Sequence, residues 1–230
     1  MAIKKLELDG IGTVSLYKRK GARHIRLSIT HAGDIRVTLP WWASYQAGID
    51  FIESKRAWIE QQKPETELIK QGHSVGKAHH ITFEPGSGAS ISTRISGNEV
   101  RILLPVGVRW DSVEAQQAAQ SVGVRALKKE AKRLLPHRLQ ILADQHNYDF
   151  RSTTIKQLKG RWGSCSEQKD IVLNCFLMKL PWDLIDYVLL HELAHTRVMA
   201  HGPAFWQEMS GPLPHVQMLR QQIKQHKPIL

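Results

Sequence analysis

At 230 residues, 42% hydrophobic and 23% charged, the chain has the make-up of a globular protein able to bury one large core or two small ones. No apolar run approaches the ~20 residues of a membrane span, and the two cysteines, Cys165 and Cys175, argue against a disulfide framework. The net charge of +11 is unevenly spread: residues 1–64 carry net +5 and residues 121–160 net +6, while 65–120 and 161–230 stand at −1 and +1.

The start, Met1-Ala2-Ile3-Lys4-Lys5-Leu6-Glu7, is charged but has no apolar core region or small-residue cleavage site. No signal peptide is read, and the cytoplasm is the expected location. Ser28-Ile29-Thr30 then leads through Gly33-Asp34 to Ile35-Arg36-Val37-Thr38-Leu39-Pro40, which predicts strand, tight turn, strand and a proline stop. A helical pattern follows over about 43–62. Gln71 to Phe83 reads as a further hairpin, and Glu84-Pro85-Gly86-Ser87-Gly88 as a loop. Ser92-Thr93-Arg94-Ile95, Gly97-Asn98 and Val100-Arg101-Ile102-Leu103-Leu104-Pro105 repeat the first hairpin about 65 residues on, again with a helical pattern behind, over about 111–145. A β-β-α unit thus occurs twice, as a duplication or as parts of one sheet.

In the second helical pattern Leu127, Leu134, Leu135, Leu139 and Leu142 form an apolar stripe, and Pro136 is expected to kink or divide it. Strand signals return at 153–158 and 171–176, separated by a Gly/Ser loop, Gly160-Arg161-Trp162-Gly163-Ser164-Cys165-Ser166. Pro181-Trp182-Asp183 signals a helix start with Asp183 able to cap it, and Ile185 to Leu190 continues as helix.

That helix runs into His191-Glu192-Leu193-Ala194-His195, followed by His201. Histidines four apart share a helix face, so both rings can grip one cation. Glu192 stands where a general base belongs beside an activated water. Gly202-Pro203 is expected to end the helix and let the chain turn His201 back towards the same ion. Three neutral nitrogen ligands, His191, His195 and His201, suit a single Zn²⁺ with its fourth position open for catalysis. Glu208 is the alternative third ligand, and His215 a candidate for steadying an oxyanion. The chain is therefore read as a zinc hydrolase cutting a protein or peptide. Such an enzyme needs a strand to hold extended substrate, and Ile171 to Phe176 is the natural candidate.

Arg161-Trp162-Gly163-Ser164-Cys165-Ser166, Ile171-Val172-Leu173-Asn174, Pro181, Ile185-Asp186-Tyr187-Val188, the His191–His195 motif, and His201 with Phe205-Trp206 together resemble the YgjP-like metallopeptidase domain. The resemblance implies a zincin-type core with the three histidines as ligands, Glu192 as catalytic acid/base, and kinship with SprT-like and Wss-type proteases, which cut proteins crosslinked to DNA. Metzincins share the His195-to-His201 spacing but place glycine three residues after the second histidine, where this chain has Val198. The expected fold class is α+β: a β-rich region with the ββα repeat over 1–110, packed on a helical, zincin-like catalytic domain over 111–230.

Two other functions compete. The family has also carried a UTP pyrophosphatase assignment, and basic side chains could grip phosphates, but three imidazoles suit zinc better than the magnesium that accompanies nucleotides. A nucleic-acid-binding protein with a structural metal is the third reading. Its weakness is that a closed structural site needs no adjacent base. The basic surplus makes non-specific nucleic acid a candidate partner under any of the three. Oligomeric state is not written in the sequence.

Overall fold

The computed structural model describes residues 3–9, 11–29, 35–62 and 68–228. Two units emerge, Met1–Glu67 and Leu68–Pro228, each with its own hydrophobic core. The sequence-based division at 110 falls inside the second unit.

In the first unit, Val14 and Leu16 alternate with Ser15 and Tyr17, the period-2 pattern of a half-buried strand. Its strands are β1 (Ile3–Leu8), β2 (Gly12–Arg19), β3 (Arg26–Ile29) and β4 (Ile35–Pro40), in the order β1-β2-β4-β3. The β2–β4 pair is parallel and the other two are antiparallel. The turn expected at Gly33–Asp34 lies outside the described residues. Two helices follow, α1 (Tyr45–Ser54) and α2 (Arg56–Gln62), and Ile52 and Ile59 close the core over Val14, Leu16, Val37 and Leu39. Ser44 caps α1, its Oγ accepting from the Ala47 N–H at 3.0 Å.

The second unit opens with β5 (Ser74–Val75), β6 (His79–Pro85), β7 (Ser92–Ser96) and β8 (Glu99–Leu104), ordered β5-β6-β8-β7. Its pairing senses repeat those of the first sheet: antiparallel, parallel, antiparallel. The two echoing stretches of sequence therefore lie in separate sheets. Gly97, at φ +55°, makes the β7–β8 turn in a backbone region that costs other residues strain. Behind it, Ser112 caps α3 (Val113–Gln145) as Ser44 caps α1, accepting from the Ala115 N–H at 3.2 Å.

Helix α3 runs through Pro136 without dividing, and Leu127, Leu135, Leu139 and Leu142 are buried along it. A second sheet of three strands follows: β9 (Ser152–Lys156), β10 (Gly163–Cys165) and β11 (Asp170–Asn174), in the order β10-β11-β9. The Gly/Ser stretch expected as a loop thus contains a short strand. A 3-10 turn over Cys175–Lys179 leads to α4 (Trp182–Ala194), α5 (Pro203–Ser210) and α6 (Val216–Ile223).

Helix α4 is apolar almost all round, with nine residues buried from Leu184 to Ala194, so it runs through the core rather than over it. Arg138 of α3 clamps it from outside, Nε donating to Asp186 Oδ1 at 2.8 Å. Asp183 does not cap α4. Pro181 holds that position with no side-chain bond, and Asp183 lies in the first turn, where its charge suits the helix dipole. No helix among the described residues is long and apolar enough to cross a membrane.

Candidate metal centre

His191 and Glu192 lie in the last turn of α4, and His195 is its C-cap. The helix ends there, earlier than expected, because Thr196 and Val198 donate back to Leu193 and Ala194 at 2.9 Å each. Gly202-Pro203 does not stop α4; it starts α5, with Gly202 as N-cap and Pro203 in the first turn. The intervening turn carries His201 back over the helix end.

The three rings converge through their Nε2 atoms. His191 and His195 are 3.2 Å apart there, His195 and His201 3.1 Å, and His201 and His191 3.0 Å. Phe205, fully buried, is the floor of the cluster, its ring centroid 4.9, 4.5 and 4.8 Å from those of His191, His195 and His201. Among the described residues, these three histidines are the group that could hold a metal ion. Glu208, the alternative third ligand, is engaged elsewhere: Arg197 binds its carboxylate at 2.7 Å. His215 is exposed at the start of α6.

The donor set fits zinc. Tetrahedral Zn–N bonds of about 2.0–2.1 Å put donor atoms roughly 3.3 Å apart, close to the triangle observed. Protonation states agree. Burial, then the neighbouring His195 and His201 and the Arg220 charge, pushes His191 down to about 3. Burial likewise lowers His195. Burial thus favours the neutral, metal-binding form of both His191 and His195. The Val198 carbonyl lies 3.1 Å from His195 Nδ1, so Nδ1–H donates there and the Nε2 lone pair faces the centre. His191 Nδ1 is buried without a hydrogen-bond partner among the described residues.

Glu192 is 5% exposed, and burial raises its carboxyl to about 8, against the opposing Arg161 charge. Its neighbour is β10. Asn174, wholly buried, builds that neighbour: its Nδ2 donates to the Leu158 and Arg161 carbonyls at 3.0 and 2.8 Å, and its backbone N–H to Trp162 O at 2.9 Å. The loop so pinned delivers Gly163 against Glu192. Sequence reasoning named neither role, since both depend on contacts made across the fold. It also passed over Arg220, whose guanidinium stacks 4.2 Å from the Trp206 ring centroid and whose charge reaches His191 and Tyr187.

Strand β11 is flanked by β10 and β9 and cannot accept a further strand, which corrects the expectation that Ile171 to Phe176 holds substrate. The edge is β10. Trp162 and Ser166 spend their backbone groups on β11, as Trp162 O accepts from Asn174 and the Ser166 N–H donates to Asp170. By the antiparallel alternation, Gly163 and Cys165 point theirs the other way.

A mixed α+β domain whose imidazoles converge from α4 and the turn after it, beside a buried carboxylate of α4, fits a metallopeptidase. The chain belongs to the YgjP-like metallopeptidase domain family, whose model matches residues 23–226. Two solved structures show partial likeness. The metallopeptidase zymogen abylysin of Pyrococcus abyssi is 24% identical, with a TM-score of 0.36, over 39% of this chain and 91% of its own. The metallopeptidase zymogen jannalysin of Methanocaldococcus jannaschii is 23% identical, with a TM-score of 0.34, over 38% and 90%. No curated protein matches the chain.

Proposed function

We propose that this protein is a zinc-dependent endopeptidase in which His191, His195 and His201 hold one ion and Glu192 is the general base. The observation that carries the reading is the Nε2 triangle of 3.0–3.2 Å beside a buried carboxylate that is not one of its corners. A zinc ion bound there supplies Lewis acidity towards a carbonyl and a nearby water.

The chain's own groups supply the rest. Extended peptide pairs with the outward N–H and C=O groups of Gly163 and Cys165 on the β10 edge, which brings its backbone alongside Glu192. Glu192 accepts a proton from the attacking water and passes it to the leaving amine. Burial of the Glu192 side chain raises that carboxyl's affinity for a proton, as a group that must take one up requires.

The test is Glu192→Gln, read by metal content and by cleavage of casein. Retained zinc with cleavage lost is the expected result. Pyrophosphate release from UTP by the wild type, with no proteolysis, would overturn the peptidase reading in favour of a nucleotide hydrolase. Loss of zinc together with unfolding would make the metal structural.

A further inference from the structure

The first unit has a sheet face that its own helices do not cover. On β2 and β4 the buried residues Val14, Leu16, Ile35, Val37 and Leu39 face α1 and α2. The alternate residues face outward, and register aligns them into rows. One row is Lys5, Ser15, Arg36 and Ser28; the next holds Tyr17, Thr38 and Arg26, with Arg19 one step further along β2. None of these four cations, Lys5, Arg19, Arg26 and Arg36, has an ion-pair partner among the described residues. Towards the other end of the sheet the same face carries Glu7, beside Thr13, and Arg56 joins Glu53 to the Asp9 carbonyl.

At the basic end the chain places two indoles. The Ala43 N–H donates to the Pro40 carbonyl at 3.1 Å, closing a turn with Trp41 and Trp42 at its two central positions. They are 64% and 67% exposed. Two exposed tryptophans in succession are costly to leave in water, and nothing in the unit's core requires them. Parallel pairing of β2 with β4 sets Arg19 beside Pro40, so cations and indoles occupy the same end.

We propose that this face binds single-stranded nucleic acid, with Lys5, Arg19, Arg26 and Arg36 on phosphates and Trp41, Trp42 and Tyr17 stacking on bases. Cations attract any polyanion, but aromatic faces reward bases that are not already stacked in a duplex. The site lies wholly within the first unit and is independent of the peptidase reading. An anionic bilayer is the competing ligand. It is less suited, because the cations lie in rows across a strand face rather than along an amphipathic helix with an apolar side.

The experiment is fluorescence anisotropy of a labelled oligothymidylate of about 20 nucleotides with the full chain, from about 50 to 200 mM salt. A duplex of equal length and phosphatidylserine vesicles are run in parallel. The single strand should bind more tightly than the duplex. Trp41→Ala with Trp42→Ala should weaken it at least about fivefold with the salt slope unchanged, and the Phe pair should restore much of that loss. Arg19→Ala with Arg26→Ala should flatten the salt slope by about 0.7 for each phosphate no longer neutralised. A control removes the exposed α3 cations Lys128, Lys129, Lys132 and Arg133, and should leave the Trp-dependent part intact. The proposal is overturned by absence of oligonucleotide binding at the lowest salt. It is equally overturned if binding depends on the α3 cations and not on Trp41 and Trp42, or if these tryptophans matter for vesicles alone.

Discussion

Gly163 and Glu192 compete for one volume. A Cβ atom added to Gly163 would lie 2.6 Å from Glu192 Oε1, 2.8 Å from its Cγ and 2.9 Å from its Cδ. Real Cβ atoms do not approach so closely, and Glu192 is buried against core neighbours with little room to retreat. Gly163→Ala should therefore push the carboxylate out of place while leaving the histidines undisturbed. A displacement of about 1 Å at a general base costs on the order of a hundredfold in kcat. The expected outcome is zinc content equal to wild type with casein cleavage reduced by that order. Undiminished turnover would mean that Glu192 is not the base, or that its position is not critical.

The imidazole cluster predicts a response to chelation. Three rings with Nε2 atoms 3.0–3.2 Å apart converge on one point, where a cation can be held by all of them. Zinc at a thousandfold excess over its dissociation constant stabilises the folded state by about 4 kcal/mol, or on the order of 10 °C in Tm for a domain of this size. A chelator should remove that increment from wild type and leave His195→Ala, already low, unchanged. Equal Tm values for wild type with and without chelator would sink the metal assignment.

Asn174 is the structural support for this arrangement. Its buried amide donates to two partly buried carbonyls, Leu158 and Arg161, at the base of the loop that carries β10. Asn174→Ala removes both bonds, at about 0.5–1.5 kcal/mol each. Urea denaturation should show a midpoint lowered to match, with peptidase activity falling further than stability because β10 loses its anchor. A midpoint unchanged within error would show that water replaces the amide.

The histidines, Gly163 and Asn174 mark where sequence reasoning succeeds and where it stops. The meeting of His191 with His195 is legible because helical periodicity is local: four residues bring a side chain round to the same face. His201 is legible for a weaker reason, a nearby chain-breaking pair, and the mechanism differs from the one expected, since Gly202-Pro203 opens α5 rather than closing α4. The hairpins at 92–104 and the buried leucines of α3 follow from alternation and stripe. Gly163 and Asn174 do not. Gly-Ser-Cys has little intrinsic strand preference, and only pairing with β11 makes it a strand. That β11 is the central strand depends on its pairing parallel to β9, a long-range pairing no local pattern encodes. The uncovered basic face of the first sheet was legible only as a surplus of charge. The register that aligns Arg26 with Tyr17, and Arg36 with Lys5, is set by long-range pairing.

Phe205 should be the most sensitive apolar position near the site. It is fully buried and touches all three imidazoles within 5 Å between ring centroids. Phe205→Ala removes the floor of the cluster and leaves a cavity, a change that costs about 3–5 kcal/mol. Phe205→Leu keeps most of the volume and should cost less in stability. Both should weaken zinc retention in competition with a chromophoric chelator, the alanine variant more. Retention indifferent to either change would show that the rings are held by the backbone alone.

Asp170 accepts from Arg151 Nε at 2.7 Å and from Ser152 Oγ at 2.7 Å, and these bonds, the Arg151 one foremost, hold its carboxyl down to about 2, against an ordinary value near 3.8. A carboxyl more acidic in the folded chain than in the unfolded one stabilises the fold above its unfolded value, and that contribution is lost as pH falls towards 2. Asp170→Asn cannot ionise, so it lacks the contribution at every pH. The stability gap between wild type and the variant should hence be constant above about pH 5 and narrow between pH 4 and pH 2. The bond is solvent-exposed, so the gap should also shrink in high salt. Thermal unfolding at matched ionic strength, followed by circular dichroism from pH 6 to pH 2.5, measures it. A gap that widens on acidification would reverse the sign and place the proton-linked difference elsewhere in the fold.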